Sequence, residues 1–323
     1  MTLEKTIWKR MLACAGLLLF VAVLLLVPVA LYADSMYREV FDAREVNARD
    51  AEAEPTHFDL FAEEGKHQVE ARISGWLSAV DSTEVVVSSV RGKLYASQYE
   101  PVGSDVGAPW AIVFHGGLGT DRTQVKDVAC MLSIRGFRVL TPDLFAHGES
   151  EGDASTLGFG DAQDVRAWID FLRKEDPDAR IVLYGVDEGA CAVLSAACEG
   201  LDDAVAAVAA DSACDDGAER MRAMAGTGEG GLKGALLDLV FRRKTFGAEQ
   251  ISKRIAGVKV PLLLIHGTGD QTVPAWNSED IVAACPENAL LLFVEGAGHG
   301  QSRFLDEALY YDTLLDFYTR ALE

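Results

Sequence analysis

The longest apolar segment of the chain lies near its N-terminus. Residues 11–33 carry no charged side chain. A helix of this length, rising ~1.5 Å per residue, would extend roughly 34 Å and could cross a hydrocarbon core of ~30 Å. Basic residues precede the segment and acidic residues follow it, which predicts a cytoplasmic N-terminus: Lys5, Lys9 and Arg10 against Asp34, Glu39 and Asp42. We predict a single-pass protein of the cell membrane, with residues 1–10 in the cytoplasm, a transmembrane helix at 11–33 and the rest outside.

A cleaved signal peptide is the alternative interpretation of this segment. The apolar run is long for a signal peptide. In addition, Leu31 would stand at the third position before a cut after Ala33, where small residues are usual. We therefore favour an uncleaved anchor.

The pattern changes twice after the apolar segment. Residues 34–83 are acidic and polar, which is typical of a helical or partly ordered stalk. From Glu84 onward, short apolar runs alternate with amphipathic stretches. The predicted strands are 84–90, 93–99, 110–114, 137–141, 181–184, 204–210, 260–265 and 289–294, and the predicted helices are 123–135, 159–174, 190–198 and 307–322.

Continuous apolar strands that alternate with helices indicate an α/β fold, in which a mostly parallel sheet is covered by helices on both faces. We assign residues 84–323 to one such domain. The alternation stops at about 211–258, and this stretch is long for a connection. It is predicted to be a small lid.

Charge and cysteine spacing limit the possible partners. The 323 residues carry a formal net charge of −21, which would repel a phosphate backbone, so nucleic acid is not expected to bind. The six cysteines show neither the spacing of a zinc site nor that of a disulfide framework. We predict no metal site and no cofactor. The expected partners are a small-molecule substrate or ligand and, through residues 11–33, the membrane.

The most informative stretch is Ile181-Val-Leu-Tyr-Gly-Val-Asp-Glu-Gly-Ala-Cys-Ala-Val-Leu194. A run of β-formers leads directly into Gly185-Val-Asp-Glu-Gly189, and small apolar residues with helical character follow. This order of strand, sharp turn and helix is typical of a nucleophile elbow, whose flanking glycines allow strand and helix to approach closely. The central residue of a G-x-S-x-G elbow is Ser. In this chain it is Asp187.

Two later strand ends supply candidate partners for Asp187. Asp270 follows the strand 260–265, and His299 follows the strand 289–294. Because sites in such sheets form at the carboxyl ends of the strands, we expect these side chains to meet. His299 would act as the base, and Asp270 would hold its tautomer and stabilise the imidazolium. The backbone amides of Gly117 and Glu188 are the candidate oxyanion hole.

These motifs carry a resemblance to a known family. From about Glu84 to the end, the chain resembles the α/β-hydrolase superfamily, in which nucleophile, acid and histidine follow one another in this order. It is most similar to a membrane-anchored bacterial branch often grouped with serine aminopeptidases. The matching segments are His115-Gly116, Asp143-Leu-Phe-Ala-His147-Gly148-Glu-Ser150-Glu-Gly152, Ile265-His-Gly267, Val273-Pro274 and Gly296-Ala-Gly-His299. The resemblance implies an α/β-hydrolase fold with a triad at Asp187, Asp270 and His299.

The elbow departs from that branch and leaves two classes of function open. Asp187-Glu188 stands where Ser-Met is usual. A carboxylate here resembles the haloalkane dehalogenase and epoxide hydrolase branches, where it attacks an alkyl carbon and histidine-activated water cleaves the resulting ester. Those branches commonly have an aromatic residue after the Asp, and Trp or Tyr in the cap. This chain has Glu188, whose charge could hold His299 protonated, and a predicted lid with neither Trp nor Tyr.

We therefore predict a hydrolase that acts through Asp187, His299 and Asp270 on a small-molecule, ester or peptide-like substrate. The alternative is a catalytically degenerate domain of the same fold that binds a ligand or a protein partner. The fold alone does not choose between them.

Overall fold

The computed structural model describes residues 2–42, 56–101, 107–227, 231–247 and 250–323. Within these residues the strands are β1 (Val80–Ser88), β2 (Lys93–Pro101), β3 (Trp110–Phe114), β4 (Arg138–Pro142), β5 (Ile181–Val186), β6 (Val205–Asp211), β7 (Leu262–Gly267) and β8 (Ala289–Val294). The helices are α1 (Thr2–Phe41), α2 (His57–Leu77), α3 (Lys126–Ile134), α4 (Ala162–Glu175), α5 (Glu188–Glu199), α6 (Gly217–Met224), α7 (Leu232–Lys244), α8 (Trp276–Ala284), α9 (Ser302–Leu305) and α10 (Glu307–Leu322).

The strands form one sheet in the order β1-β2-β4-β3-β5-β6-β7-β8. β1 pairs with β2 and β2 with β4 in antiparallel register, and every pair from β4 to β8 is parallel. Every residue of β3, β5 and β7 is buried, because helices cover both faces of the central strands. The predicted α/β class with a mostly parallel sheet is confirmed.

The alternation of side chains along each strand divides the core into two layers. On β3, for example, Trp110, Ile112 and Phe114 belong to one apolar cluster, while Ala111 and Val113 belong to the other. The first cluster includes residues of α4 and α5, and the second includes residues of α3 and α10. The carboxyl ends of β5, β7 and β8 therefore open at one edge of a sheet whose two faces are both filled.

Helix α1 continues beyond the predicted membrane segment and joins the domain. By length and composition, one helix of the described chain is able to span a membrane, over Met11–Phe41 with a mean hydropathy of 2.9. Its last turns change character, because Ala33, Tyr37 and Phe41 are buried and α1 packs against α7. Asp34, the first charged residue after the apolar run, accepts a hydrogen bond from Arg243 of α7 at 2.7 Å.

The segment predicted as a helical or partly ordered stalk, residues 34–83, contains a helix that packs against the domain. Residues 43–55 lie outside the described part of the chain, but His57–Leu77 forms α2, which packs against α3 and α9. Its buried side chains are Ala62, Val69 and Trp76. Because these apolar positions recur at helical spacing, they bind the helix to the domain. β1 then begins at Val80, so the folded domain starts well before the predicted boundary at Glu84.

The insertion predicted as a lid at 211–258 contains two helices, α6 and α7, which pack together. Residues 228–230 and 248–249 of this insertion are outside the described residues. Leu237 and Phe241 of α7 are buried, so the insertion has an apolar contact with the domain. Its α6 side faces the cavity described below.

Candidate active site

Asp187 lies in a tight turn between β5 and α5, with φ 51° and ψ −111°. A positive φ is strained for a residue with a Cβ. The flanking glycines have a steric reason. A Cβ on Gly185 would lie 2.2 Å from the carbonyl oxygen of Gly189, and one on Gly189 would lie 2.4 Å from that of His115. There is therefore no room for a larger residue at positions 185 and 189, and the turn projects the Asp187 side chain from the end of the strand.

The structure brings together the three side chains that the sequence selects. His299 Nε2 lies 3.2 Å from Asp187 Oδ1, and His299 Nδ1 lies 2.7 Å from Asp270 Oδ2. The other oxygen of Asp270 accepts hydrogen bonds from the amides of Thr272 and Val273 at 2.9 and 2.8 Å. The Asp187 and His299 side chains are 18% and 21% exposed, so a small molecule can reach them, whereas the Asp270 side chain is fully buried.

This arrangement sets the protonation states at neutral pH. Burial alone would lower the pKa of His299, but the carboxylates of Asp187 and Asp270 outweigh it and raise that pKa to about 10. Burial would raise the pKa of Asp187, but the imidazolium of His299 lowers it below its usual value. At pH 7 the resting site is therefore an imidazolium between two carboxylates.

A second histidine, His266, lies beside Asp270. His266 Nε2 donates to the carbonyl oxygen of Val273 at 2.7 Å and lies 3.2 Å from Asp270 Oδ2. Its Nδ1 contacts the hydroxyl of Ser278 at 2.7 Å. Sequence reasoning assigned no site role to His266. The signal was its position at the end of β7, close to Asp270 in the chain.

The backbone beside Asp187 offers amide donors. Glu188 is the first residue of α5, and amides in the first turn of a helix have no partner within the helix. Gly117 also lies close to Asp187, since a Cβ added to Gly117 would be 3.6 Å from Asp187 Oδ2. The preceding amide, that of Gly116, donates to Gln124 Oε1 at 2.8 Å and holds this loop in place.

The side chain of Glu188 contacts Ser155 and His147. Its Oε2 accepts a hydrogen bond from Ser155 Oγ at 2.5 Å and lies 3.4 Å from His147 Nε2. Burial, together with the charge of Asp187, raises the pKa of this carboxyl to about 8, so it is mostly neutral at pH 7. The charges that keep His299 protonated are therefore those of Asp187 and Asp270.

A cavity of about 580 Å³ opens onto the turn. Asp187 and His299 line it together with Cys191 and Cys214. Burial raises the pKa of the Cys191 thiol well above its usual value, which keeps it protonated and weakly nucleophilic. Apolar side chains complete much of the wall: Leu118, Leu157, Phe159, Met224 and Phe304.

Comparison with known proteins defines the class. The alpha/beta hydrolase fold family matches residues 109–228. An uncharacterized protein of Mycobacterium tuberculosis is 30% identical over 237 residues, which cover 73% of this chain and 79% of that protein. The chain belongs to the α/β-hydrolase-fold family. The uncharacterized protein YfhR of Escherichia coli is 28% identical over 193 residues, covering 58% of this chain and 62% of YfhR.

Solved structures show the same fold at lower sequence identity. An esterase of Pyrococcus furiosus superposes with a TM-score of 0.60 at 21% identity. The superposition covers 75% of this chain and 93% of the esterase chain. An acylaminoacyl peptidase of Pyrococcus horikoshii superposes with a TM-score of 0.56 at 17% identity, over 76% of this chain and 42% of the peptidase. The predicted α/β-hydrolase fold is confirmed.

Proposed function

We propose that this protein is a membrane-anchored hydrolase in which Asp187 is the nucleophile, His299 transfers protons and Asp270 orients His299. The observation that carries the proposal is the chain of contacts from Asp187 Oδ1 to His299 Nε2, 3.2 Å, and from His299 Nδ1 to Asp270 Oδ2, 2.7 Å, at the wall of a cavity. α1 would anchor the protein with its N-terminus in the cytoplasm and the folded domain outside.

An electrophilic alkyl carbon suits this nucleophile better than an ordinary ester. Attack of a carboxylate on an ester would produce a high-energy anhydride, whereas attack on an epoxide or alkyl halide produces a stable ester of Asp187. With an epoxide, a C–O bond of the ring breaks as the Asp187 oxygen bonds to carbon. The displaced alkoxide takes the Nε2 proton of His299. This step needs no Tyr or Trp in the lid.

The same step converts His299 into a base. Esterification removes the negative charge of Asp187, which is the main cause of the raised pKa of His299. His299, which has just given its Nε2 proton to the alkoxide, is neutral at this point and can accept a proton from water, whose hydroxide adds to the ester carbonyl carbon. The amides of Gly117 and Glu188 would stabilise the oxyanion. Collapse releases the alcohol, which takes the remaining proton, and restores the resting ion pair.

The test separates the two halves of the reaction. A His299→Gln variant given a panel of alkyl bromides, whose leaving group needs no proton, should gain the mass of the alkyl group on Asp187 and fail to release it. Asp187→Asn should gain no mass. In ¹⁸O water, wild-type turnover of an epoxide should place the label in the Asp187 carboxylate. Absence of the adduct, together with wild-type inactivity on alkyl and acyl substrates, would refute the hydrolase.

A second candidate function is ligand binding without turnover. It is favoured by the closed resting arrangement, in which each charged group of Asp187, His299 and Asp270 already has an oppositely charged neighbour. Such a chain is stable without performing chemistry. Tight binding of a small molecule in the cavity, with no product formed and no adduct in His299→Gln, would support this alternative.

A further inference from the structure

The cavity contains a cationic side chain that forms no ion pair with a carboxylate of the described residues, although its charge helps to lower the pKa of the nearby Asp187 carboxyl. Arg220 of α6 lines the same cavity as Asp187. Its Nη1 donates to the carbonyl oxygen of Thr272 at 3.1 Å, and throughout the described ranges no acidic side chain forms an ion pair with it. On the same helix, Arg222 pairs with Asp238 at 3.0 Å. With 50 acidic residues against 29 basic ones in the chain, an unpaired arginine facing a cavity calls for an explanation.

The other cations at the cavity are already neutralised. Lys66 forms an ion pair with Glu63, and Arg303 forms one with Asp127 at 2.5 Å. His299 is shared by two carboxylates. Among the described cations of the cavity wall, Arg220 is therefore the one whose guanidinium has no carboxylate in contact and whose remaining N–H groups are available to a ligand.

The geometry of an arginine selects the kind of ligand group. A guanidinium presents five N–H donors in a planar fork that matches a carboxylate, and the contact with Thr272 occupies one nitrogen. A single positive charge is balanced by a single negative charge. A doubly charged phosphate would keep one charge unbalanced close to the Asp187 carboxylate, so a carboxylate is the better match.

The remaining wall selects the rest of the ligand. Leu118, Leu157, Phe159 and Met224 contribute apolar surface to the cavity, and burying an apolar group there is favourable. The ligand would thus combine an apolar body with one anionic end.

We propose that Arg220 is a specificity residue that binds the carboxylate of an amphiphilic organic acid. That the reactive carbon of this acid lies at Asp187 rests on the proposed function. The binding of its carboxylate to Arg220 does not. An acid held at Arg220 would have its apolar body between the guanidinium and the turn at Asp187.

Binding of two matched, unreactive ligands tests this inference. The full-length protein in lipid nanodiscs is titrated calorimetrically at pH 7 with 4-phenylbutyrate and with the neutral 4-phenylbutyramide. We expect the carboxylate to bind about tenfold more tightly or better, since a charge-assisted bidentate contact is the strong kind of hydrogen bond. Arg220→Gln should reduce the affinity for the carboxylate to that for the amide, without changing the affinity for the amide. Arg220→Lys should restore part of the preference.

The matched control is Arg222→Gln, which removes a neighbouring arginine that is paired with Asp238, and it should change neither affinity. Equal affinities of the wild type for both ligands would overturn the inference, and so would failure of the carboxylate to bind at millimolar concentration. An equal loss for both ligands in a folded Arg220→Gln protein would indicate a structural role instead. Because neither ligand has a group that Asp187 can attack, a protein without hydrolase activity that still prefers the carboxylate would refute only the proposed function.

Discussion

Replacing Asp187 with Asn should lower the pKa of His299 from about 10 to about 8. The variant keeps the shape of the side chain but removes its charge, as esterification of the carboxylate would. The pKa of His299 is raised to about 10 by Asp187 and Asp270 against the opposing effect of burial. Removal of an opposite charge at this distance typically changes a pKa by 1–3 units, and we expect a fall of about 2. The variant thereby reports the state of His299 after the first half of the proposed reaction.

The free energy of unfolding should change together with the pKa of His299. A pKa of about 10, compared with about 6.5 in the unfolded chain, corresponds at about 1.36 kcal/mol per pKa unit to at most about 5 kcal/mol. Because the folded value is the higher one, this stabilisation is complete below pH ~6.5 and is lost as the pH rises through about 10. At pH 7 we expect Asp187→Asn to lose about 2–3 kcal/mol of the free energy of unfolding, since a neutral amide is also cheaper to bury than a carboxylate. The difference in the free energy of unfolding between Asp187→Asn and the wild type should narrow between pH 8 and 10.

The assay combines two measurements. NMR of protein with ¹³C-labelled histidine rings follows the titration of His299 among the six histidines, and its signal is assigned by its absence in His299→Gln. Urea unfolding at several pH values measures the free energy of unfolding. The control is Asp203→Asn, an exposed carboxylate, which should alter neither property. If His299 titrates near pH 10 in Asp187→Asn, or near pH 6.5 in the wild type, this electrostatic account of the site is refuted.

The remaining predictions concern topology and the turn. A reporter fused after Glu323 should be active outside the cytoplasm, and the full-length protein should stay with membranes after an alkaline wash; soluble protein beginning near Asp34 would instead indicate a cleaved signal peptide. Gly189→Ala should cost about 1–3 kcal/mol in urea unfolding, because its Cβ would lie 2.4 Å from the carbonyl oxygen of His115. Gly75→Ala, where a Cβ meets nothing within 4 Å, is the control and should leave stability unchanged or slightly higher, and equal stability of the two variants would contradict the steric explanation.

The sequence by itself determined the features that depend on neighbours in the chain. Apolar runs such as that of β5, and the glycines around Asp187, depend on local backbone geometry and on burial from both faces, so each predicted strand appears in the structure close to its expected position. The proximity of Asp187, Asp270 and His299 also followed from sequence, because parallel strands bring their carboxyl ends to one edge of the sheet. Their chemical roles stay predictions.

The tertiary structure alone decided which distant side chains meet. An acidic and polar segment was interpreted as a stalk, yet Ala62, Val69 and Trp76 form one buried stripe on α2. The sequence left open whether the charge of Glu188 acts on His299, whereas in the structure this carboxyl accepts a hydrogen bond from Ser155, which lies in a remote loop. Arg220 gave no signal in the sequence, since an arginine becomes conspicuous only when no carboxylate lies beside it. The protonation of His299 likewise depends on burial and on charges that come together only in the folded chain.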